Sequence, residues 1–345
     1  MTQPVEVAIC ARTDVGLVRD HNEDTVLIAD LSANEPLPDD GSGQAVASER
    51  GPVMIVCDGM GGMAGGEVAS ELACDIIYQD LQGAQSSPQR DVVARLLRRA
   101  VRRANHVVRT RSDETLELRG MGTTASVAAL AGTTLVVANV GDSRAYVLRG
   151  EDLVQVTRDQ SVVSALVSAG KLTESQARFS VQRSVVLQAV GAEADVAVSL
   201  SIVELRAGDR LLLCSDGLHG CVFDGAIAAA LGRGKPEEAC ATLHERARQG
   251  GAPDNVTVVV ADFGGEVLEV PEAGEKVEFR ELDPSESGSE AVTSTSKVAR
   301  KLAARAGIID EAPANEVPAT GMHPAIRDHH PPVSPPTPGV GPAEA

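Results

Sequence analysis

Three apolar runs punctuate the chain, and each meets an aspartate at one end. Val53-Met54-Ile55-Val56-Cys57 leads into Asp58-Gly59. Leu211-Leu212-Leu213-Cys214-Ser215 leads into Asp216-Gly217. Pro253-Asp254-Asn255 opens Val256-Thr257-Val258-Val259-Val260. Short runs of this composition predict buried strands. Residues 5–30 read as two strands flanking Gly16 and a polar segment from Arg19 to Asp24, and 31–51 as a loop. After a glycine-dense turn, Gly59 to Gly66, helical spacing predicts a helix over 67–81 with Val68, Leu72, Ile76 and Ile77 on one face. A second helix spans 90–111, with Val93, Leu96, Leu97, Ala100, Ala104, Val107 and Val108 on one side. Its other side is basic, from Arg95, Arg98, Arg99, Arg102 and Arg103, which suits a solvated face or a docking surface for an acidic partner.

From Thr123 the period shortens. Segments 125–131, 134–139 and 144–149 read as an antiparallel meander with glycine-containing turns. Residues 161–178 look helical, with Gly170 near a C-cap. Strands near 196–205 and 210–214, a helix over 236–248 and a last strand over 256–262 complete the pattern. After Phe263 the texture changes: residues 265–345 hold 11 of the 18 prolines. That composition buries too little apolar surface to order a chain. The expected division is a folded domain over 1–264 and a Pro-rich, acidic, disordered tail over 265–345, within which Ser296 to Ile309 could form a short helix.

Composition narrows the function. The net charge is -18, and the part before residue 265 is itself acidic, which argues against nucleic-acid binding. Six cysteines, Cys10, Cys57, Cys74, Cys214, Cys221 and Cys240, include no C-x-x-C pair, so a zinc ribbon is disfavoured and a reducing, cytoplasmic setting expected. No apolar stretch approaches a membrane span, and no signal peptide is read at the N-terminus.

A carboxylate fixed at the rim of a buried strand is costly unless a cation or several donors meet it. Several of them meeting at one rim make an all-oxygen site, which hard divalent ions prefer. Arg19, Asn22, Glu23 and Asp24 form R-x-x-N-E-D before a strand, and an arginine suits bidentate binding of phosphate. Taken singly, Asp-Gly and Asp-Asn are ordinary turn residues. The Gly59–Ala64 turn fits a loose dinucleotide fingerprint, but Asp58 would repel a pyrophosphate there and no βαβ repeat follows.

Read in order, these segments resemble the metal-dependent protein phosphatases, the type 2C family, in their short bacterial form. The matching stretches are Gly16 to Asp24, Val56 to Gly62, Gly120 to Thr124, Asn139 to Arg144, Cys214 to Leu218 and Pro253 to Thr257. The resemblance implies an α+β fold: a four-layer α-β-β-α sandwich of two stacked antiparallel sheets flanked by helices. It implies that Asp58 bridges two Mg²⁺ or Mn²⁺ ions and that Asp216 and Asp254 hold the first. Glu23 and the Gly59 carbonyl would serve the second, Asp24 would support the ligands from behind, and Arg19 would grip the phosphate. The expected reaction is hydrolysis of phosphoserine and phosphothreonine in proteins by a water or hydroxide between the ions. Partners would be phosphoproteins, including serine/threonine kinases or their substrates, with no nucleic acid, no membrane and a monomeric chain.

The chain departs from the family pattern at three places. Met60 stands where animal members carry a histidine, so the leaving alkoxide would be protonated by water. Glu117 stands where an aspartate helps hold a third ion. Asp159-Gln160-Ser161 replaces Asp-His-Ser before the flap segment. Cys57 and Cys214 read as packing residues, His219 as a surface histidine and Asp142 as a hairpin cap. Two alternatives stay open: a phosphatase dedicated to one partner in a partner-switching cascade, and a non-catalytic phosphoprotein-binding module.

Overall fold

The computed structural model describes residues 4–33, 35–37, 45–46, 50–62 and 65–282. In chain order the first elements are β1 (Glu6–Asp14), β2 (Asp24–Asp30), β3 (Glu35–Pro36), β4 (Ala45–Val46), β5 (Pro52–Met60), α1 (Gly65–Gln82) and α2 (Arg90–Glu114). A 3-10 turn at Leu116–Leu118 leads to β6 (Gly122–Thr123), β7 (Ala125–Ala131), β8 (Thr134–Val140), β9 (Arg144–Arg149) and β10 (Asp152–Gln155). Then come α3 (Val162–Ser168), α4 (Glu174–Arg178), β11 (Ser199–Glu204) and β12 (Arg210–Cys214). The last are α5 (Asp216–His219), α6 (Asp224–Leu231), α7 (Pro236–Gln249), β13 (Val256–Gly264) and β14 (Phe279–Glu281).

The strands form two antiparallel sheets. One has eight strands in the order β14-β11-β8-β7-β5-β2-β3, with β6 added to β5; the other has six, β10-β9-β12-β13-β1-β4. Three apolar clusters hold four layers together. Val53, Ile55 and Cys57 of β5 pack under α1 and α2, while Met54 and Val56 of the same strand face the other sheet. On β13, Val259, Ala261 and Phe263 face inward, while Val258 and Val260 pack under α5 and α7. Both faces of these strands are buried, which is why they read as unbroken apolar runs rather than alternating ones. The expected α+β sandwich is what forms.

Several elements differ from the expectation. The segment 125–149 is not one meander. β7 and β8 pair in the larger sheet, but β9 pairs with β10 and β12 in the smaller one. The turn between β8 and β9 carries the chain across, with Gly141 at φ 97. Helix α1 turns its small residues inward: Ala69, Ala73, Cys74 and Ile77 are buried, while Val68, Leu72 and Ile76 are only partly so. A helix that packs on both a sheet and a neighbouring helix needs small side chains at the closest approach. The helical segment 161–178 is two short helices, broken where Gly170 adopts φ 68. On the basic side of α2, Arg99 and Arg103 pair with Asp80 of α1 and Arg102 with Asp195.

The folded domain does not stop at residue 264. Leu268, Val277 and Leu282 are buried, and β14 extends the larger sheet by pairing with β11. Arg149 donates to the carbonyl of Lys276 at 3.0 Å, and the amide of Val277 donates to Asp152 at 3.0 Å. Three well-spaced apolar residues in an otherwise polar stretch suffice to bind it to the sandwich. The expected short helix over 296–309 and the disordered tail beyond residue 282 lie outside the described residues. No described helix is long and apolar enough to cross a membrane.

Candidate active site

The apolar runs end at one rim of the sandwich, and the carboxylates meet there. Asp24 begins β2 and stands directly opposite Asp58 in the β2–β5 register. Asp216 opens α5 just past the end of β12, and Asp254 precedes β13, so these two come from the smaller sheet. Asp142 sits in the turn that crosses between the sheets. The site therefore draws on both halves of the sandwich.

Neighbouring segments fix the backbone at each point. The amide of Asp58 donates to Thr124 Oγ1 at 2.9 Å, while Thr123 Oγ1 and the amide of Thr124 donate to the Asp58 carbonyl at 2.9 and 2.8 Å. This is what the Gly-Met-Gly-Thr-Thr segment does: it clamps Asp58. Ser215 Oγ donates to Asp24 Oδ2 at 2.7 Å and accepts from the Thr257 amide at 3.0 Å. Asn255 joins the N- and C-terminal segments. Its Oδ1 accepts from the Glu23 amide at 2.9 Å, and its Nδ2 donates to the carbonyls of Val15 and His21. A side chain at Gly59 would meet the Gly66 carbonyl oxygen at 2.1 Å and that of Glu23 at 2.5 Å, so only glycine fits. The Gly59 amide donates to the Glu23 carbonyl at 3.0 Å, and the Glu23 carboxylate accepts from the Gly66 amide at the start of α1.

The electrostatics are those of crowded acids. Burial, opposed in part by hydrogen bonds from Thr257 and Ser215, pushes Asp24 up to about 7. Burial and the charge of Asp254 push Asp216 up to about 6. Asp58 is raised well above the carboxylate range by burial and then by the charges of Asp24 and Asp216; Asp142 is raised by burial and then by Asp216. Burial also raises Glu23, against the pull of Arg19. Arg19 meets the cluster from outside, donating to Asp254 Oδ2 at 2.8 Å with its side chain half exposed.

Among the described residues, no three His, Cys, Asp or Glu side chains are placed so that they could hold a metal ion together. The chemistry of the donor set still fits a hard divalent cation: it is all oxygen, and burial, then the neighbouring acids, disfavour the charged forms of Asp24, Asp58 and Asp216 unless a cation meets them. The charge of Asp254 acts on Asp24, Asp58 and Asp216; Asp58, Asp216 and Asp254 are the candidates to hold such an ion, with Asp24 behind them. Glu117 is not brought into this set. It lies exposed on the 3-10 turn and is not among the leading charges acting on these aspartates.

The structure departs from the expectation at His219 and adds to it at Asp142. His219 is buried, not a surface histidine: the short helix that begins at Asp216 turns its ring inward, where Nε2 lies 3.0 Å from the Asp142 carbonyl. Burial lowers its pKa to about 3, so the ring is neutral. Asp142 is more than a hairpin cap, since it is buried within range of Asp216 and Asp58. Their signal was position: His219 stands three residues after Asp216, and Asp142 follows an apolar run as Asp58 does. Gln160 is a structural tie. Its Oε1 accepts from the Gly141 amide at 2.9 Å, and its Nε2 donates to Ala197 and Ser199.

A cleft of about 1060 Å³ opens from Arg19, Asp216 and Asp254 toward α3, α4 and α6. Arg144, held by three hydrogen bonds to Asp159, forms part of its wall. Cys57 and Cys214 are buried beneath the site, as packing residues are.

Residues 30–253 match the family model described as protein phosphatase 2C. The serine/threonine protein phosphatase PstP of Mycobacterium tuberculosis is 40% identical over 253 residues, which is 73% of this chain and 44% of that protein. This chain therefore spans less than half of that relative's length. The serine/threonine phosphatase stp of Listeria monocytogenes is 31% identical over 252 residues, 73% of this chain and 94% of the relative. The crystal structure of M. tuberculosis PstP superposes with a TM-score of 0.64 at 38% identity, covering 75% of this chain and all of that one. A crystal structure of the PstP catalytic domain in complex with two manganese ions gives 0.62 at 35% identity, over 76% and 100% of the two chains.

Proposed function

The chain belongs to the protein phosphatase 2C family, and on that premise we propose that it hydrolyses phosphoserine and phosphothreonine in proteins with the help of divalent metal ions. The observation that carries this reading is the set of aspartates with raised pKa values, drawn from both sheets and gathered beside one arginine at the mouth of a cleft.

Asp58, Asp216, Asp254 and Glu23, with the Gly59 carbonyl, are the candidates for holding two ions, and Asp24 for orienting them through its bond with Ser215. Divalent ions held there supply positive charge and make water acidic enough to furnish hydroxide near neutral pH. The chain's own residues do the rest. Arg19, released from Asp254, turns its planar fork to the phosphate oxygens and neutralises charge that grows in the transition state. Thr123 and Thr124 keep Asp58 in place through its backbone, so that a carboxylate among like charges does not drift. Met60 cannot donate a proton, so the leaving alkoxide takes one from water. Magnesium or manganese both suit the oxygen donors. A monomer acting in the cytoplasm on phosphoproteins, including kinases or their substrates, is the simplest setting.

The test is hydrolysis of a phosphothreonine peptide by the full chain. Activity should vanish in EDTA and return with Mn²⁺ or Mg²⁺. Undiminished turnover in EDTA would remove the metal reading, and metal-restored binding without turnover would favour the non-catalytic module.

A further inference from the structure

This chain is poor in aromatics, with four phenylalanines, two tyrosines and no tryptophan. Tyr78, Tyr146 and Phe263 are buried in the core and Phe279 packs partly against it, whereas Phe179 and Phe223 are exposed; Phe179, Phe223 and Phe279 line the cleft beside Arg19 and Asp216. Phe179 is 78% exposed and Phe223 60% exposed. An exposed phenylalanine gains little for folding, and large apolar groups gathered at one opening mark a binding surface. The cleft is also much larger than one phosphorylated side chain requires, at about 1060 Å³.

The aromatic floor is fixed in advance. Arg178, the last residue of α4, stacks over the Phe223 ring at 4.4 Å from its centroid. The same guanidinium donates to the carbonyls of His219 at 3.1 Å and Val222 at 3.4 Å, so α4 is tied to the turn between α5 and α6. A cation over a ring and two carbonyl bonds hold Phe223 in one orientation before any ligand arrives. Phe179 follows Arg178 directly at the C-cap of α4 and lines the same cleft as Phe223. Arg178 spends its charge on these contacts, so the two rings are apolar surface set among polar neighbours such as Glu174 and Asp224.

We propose that Phe179 and Phe223 form a specificity subsite that takes a bulky apolar side chain of the phosphoprotein substrate, a few residues from the phosphorylated one. The subsite rests on the phosphatase reading above. It lies in the same cleft as Arg19, so one extended stretch of substrate reaches both ends. The occupant is a substrate segment rather than a free small molecule, because the phosphate end and the aromatic end must be filled together.

The experiment is steady-state kinetics of the full chain with Mn²⁺ on phosphothreonine peptides. Phe or Leu is placed in turn at each of the four positions on either side, against Ala, Ser and Glu. At one or two positions the apolar residue should raise kcat/KM about tenfold, the scale for burying one large apolar side chain, mainly through KM. In Phe179→Ala, Phe223→Ala and the double variant, the ratio of kcat/KM for the apolar peptide to that for its Ala counterpart should fall toward one. Phe223→Leu should keep part of it. Because the readout is a ratio within each variant, a general loss of activity cancels. Brisk hydrolysis without preference at any position, or a preference that survives in the double variant, overturns the subsite and leaves the phosphatase reading standing. A preference for Glu alone also overturns it. No hydrolysis of any peptide takes down both.

Discussion

Leu268 decides whether the segment after β13 belongs to the folded domain. It is 5% exposed and packs in the cluster between the two sheets. Val270, two residues on, is 81% exposed. Truncating a buried leucine to alanine costs about 2–5 kcal/mol. Leu268 lies at the edge of the cluster, where neighbours can close part of the gap, so about 2–3 kcal/mol is expected. In a domain of this size each kcal/mol moves the melting point by about 2–4 °C, so Leu268→Ala should lower Tm by roughly 4–12 °C. Val270→Ala, like most surface substitutions, should stay within about 0.5 kcal/mol. Both variants are made in the full chain and compared by urea unfolding and thermal melts. A free tail would make the two indistinguishable, and that result would refute the packing of 265–282. By the same reasoning, a chain cut after Gly264 would expose the surfaces that Leu268, Val277 and Leu282 cover, and should be less stable than one cut after Leu282.

Asp58→Asn should abolish turnover yet leave the fold at least as stable in EDTA, since the amide removes a group whose charged form burial and the neighbouring Asp24 and Asp216 disfavour; a lower melting point would show that its charge is already met. In EDTA, stability should also fall as pH rises from about 4 to 7, because Asp24 (about 7) and Asp216 (about 6) bind protons more tightly folded than unfolded, and that advantage is lost as pH passes their folded values; a melting point rising over this range would contradict the crowding. Arg19→Ala should raise KM for phosphopeptides about tenfold or more, the scale of a charge-assisted hydrogen bond, and unchanged kinetics would remove it from the site. Glu117→Ala should leave the Mn²⁺ titration of activity unchanged, as its exposed position implies, and a shifted curve would restore it as a ligand.

The sequence made legible whatever depends on local pattern. The buried strands around Asp58, Asp216 and Asp254 show as apolar runs because both their faces are covered. Gly59 marks a close approach of backbones and Gly141 a turn with positive φ, both of which glycine alone accepts easily. Partition between sheets left no trace, since β8 and β9 look alike whether they pair or cross over. The inward turn of His219 was hidden because a four-residue helix has too little period to read. Val277 and Leu282 are not legible in the sequence, because composition averaged over 265–345 is dominated by the residues beyond 282. The wider setting of Asp142 is not legible either, because an aspartate in a Gly-Asp-Ser turn already has a sufficient local reason to be there.

The rim where both sheets contribute has a consequence for how the molecule comes to life. Arg19 bonds to Asp254 and Glu23 to Asn255, so groups more than 200 residues apart in sequence must meet before the site exists. These contacts depend on β1 pairing with β13, the first long strand with the last. Pairings that distant form slowly, because a long loop must close first. A nascent or refolding chain can therefore hold helices and most of the larger sheet while remaining chemically silent. In stopped-flow refolding, phosphatase activity should lag behind helical signal and appear together with the β1–β13 pairing, so that the enzyme switches on only when its two ends have found each other.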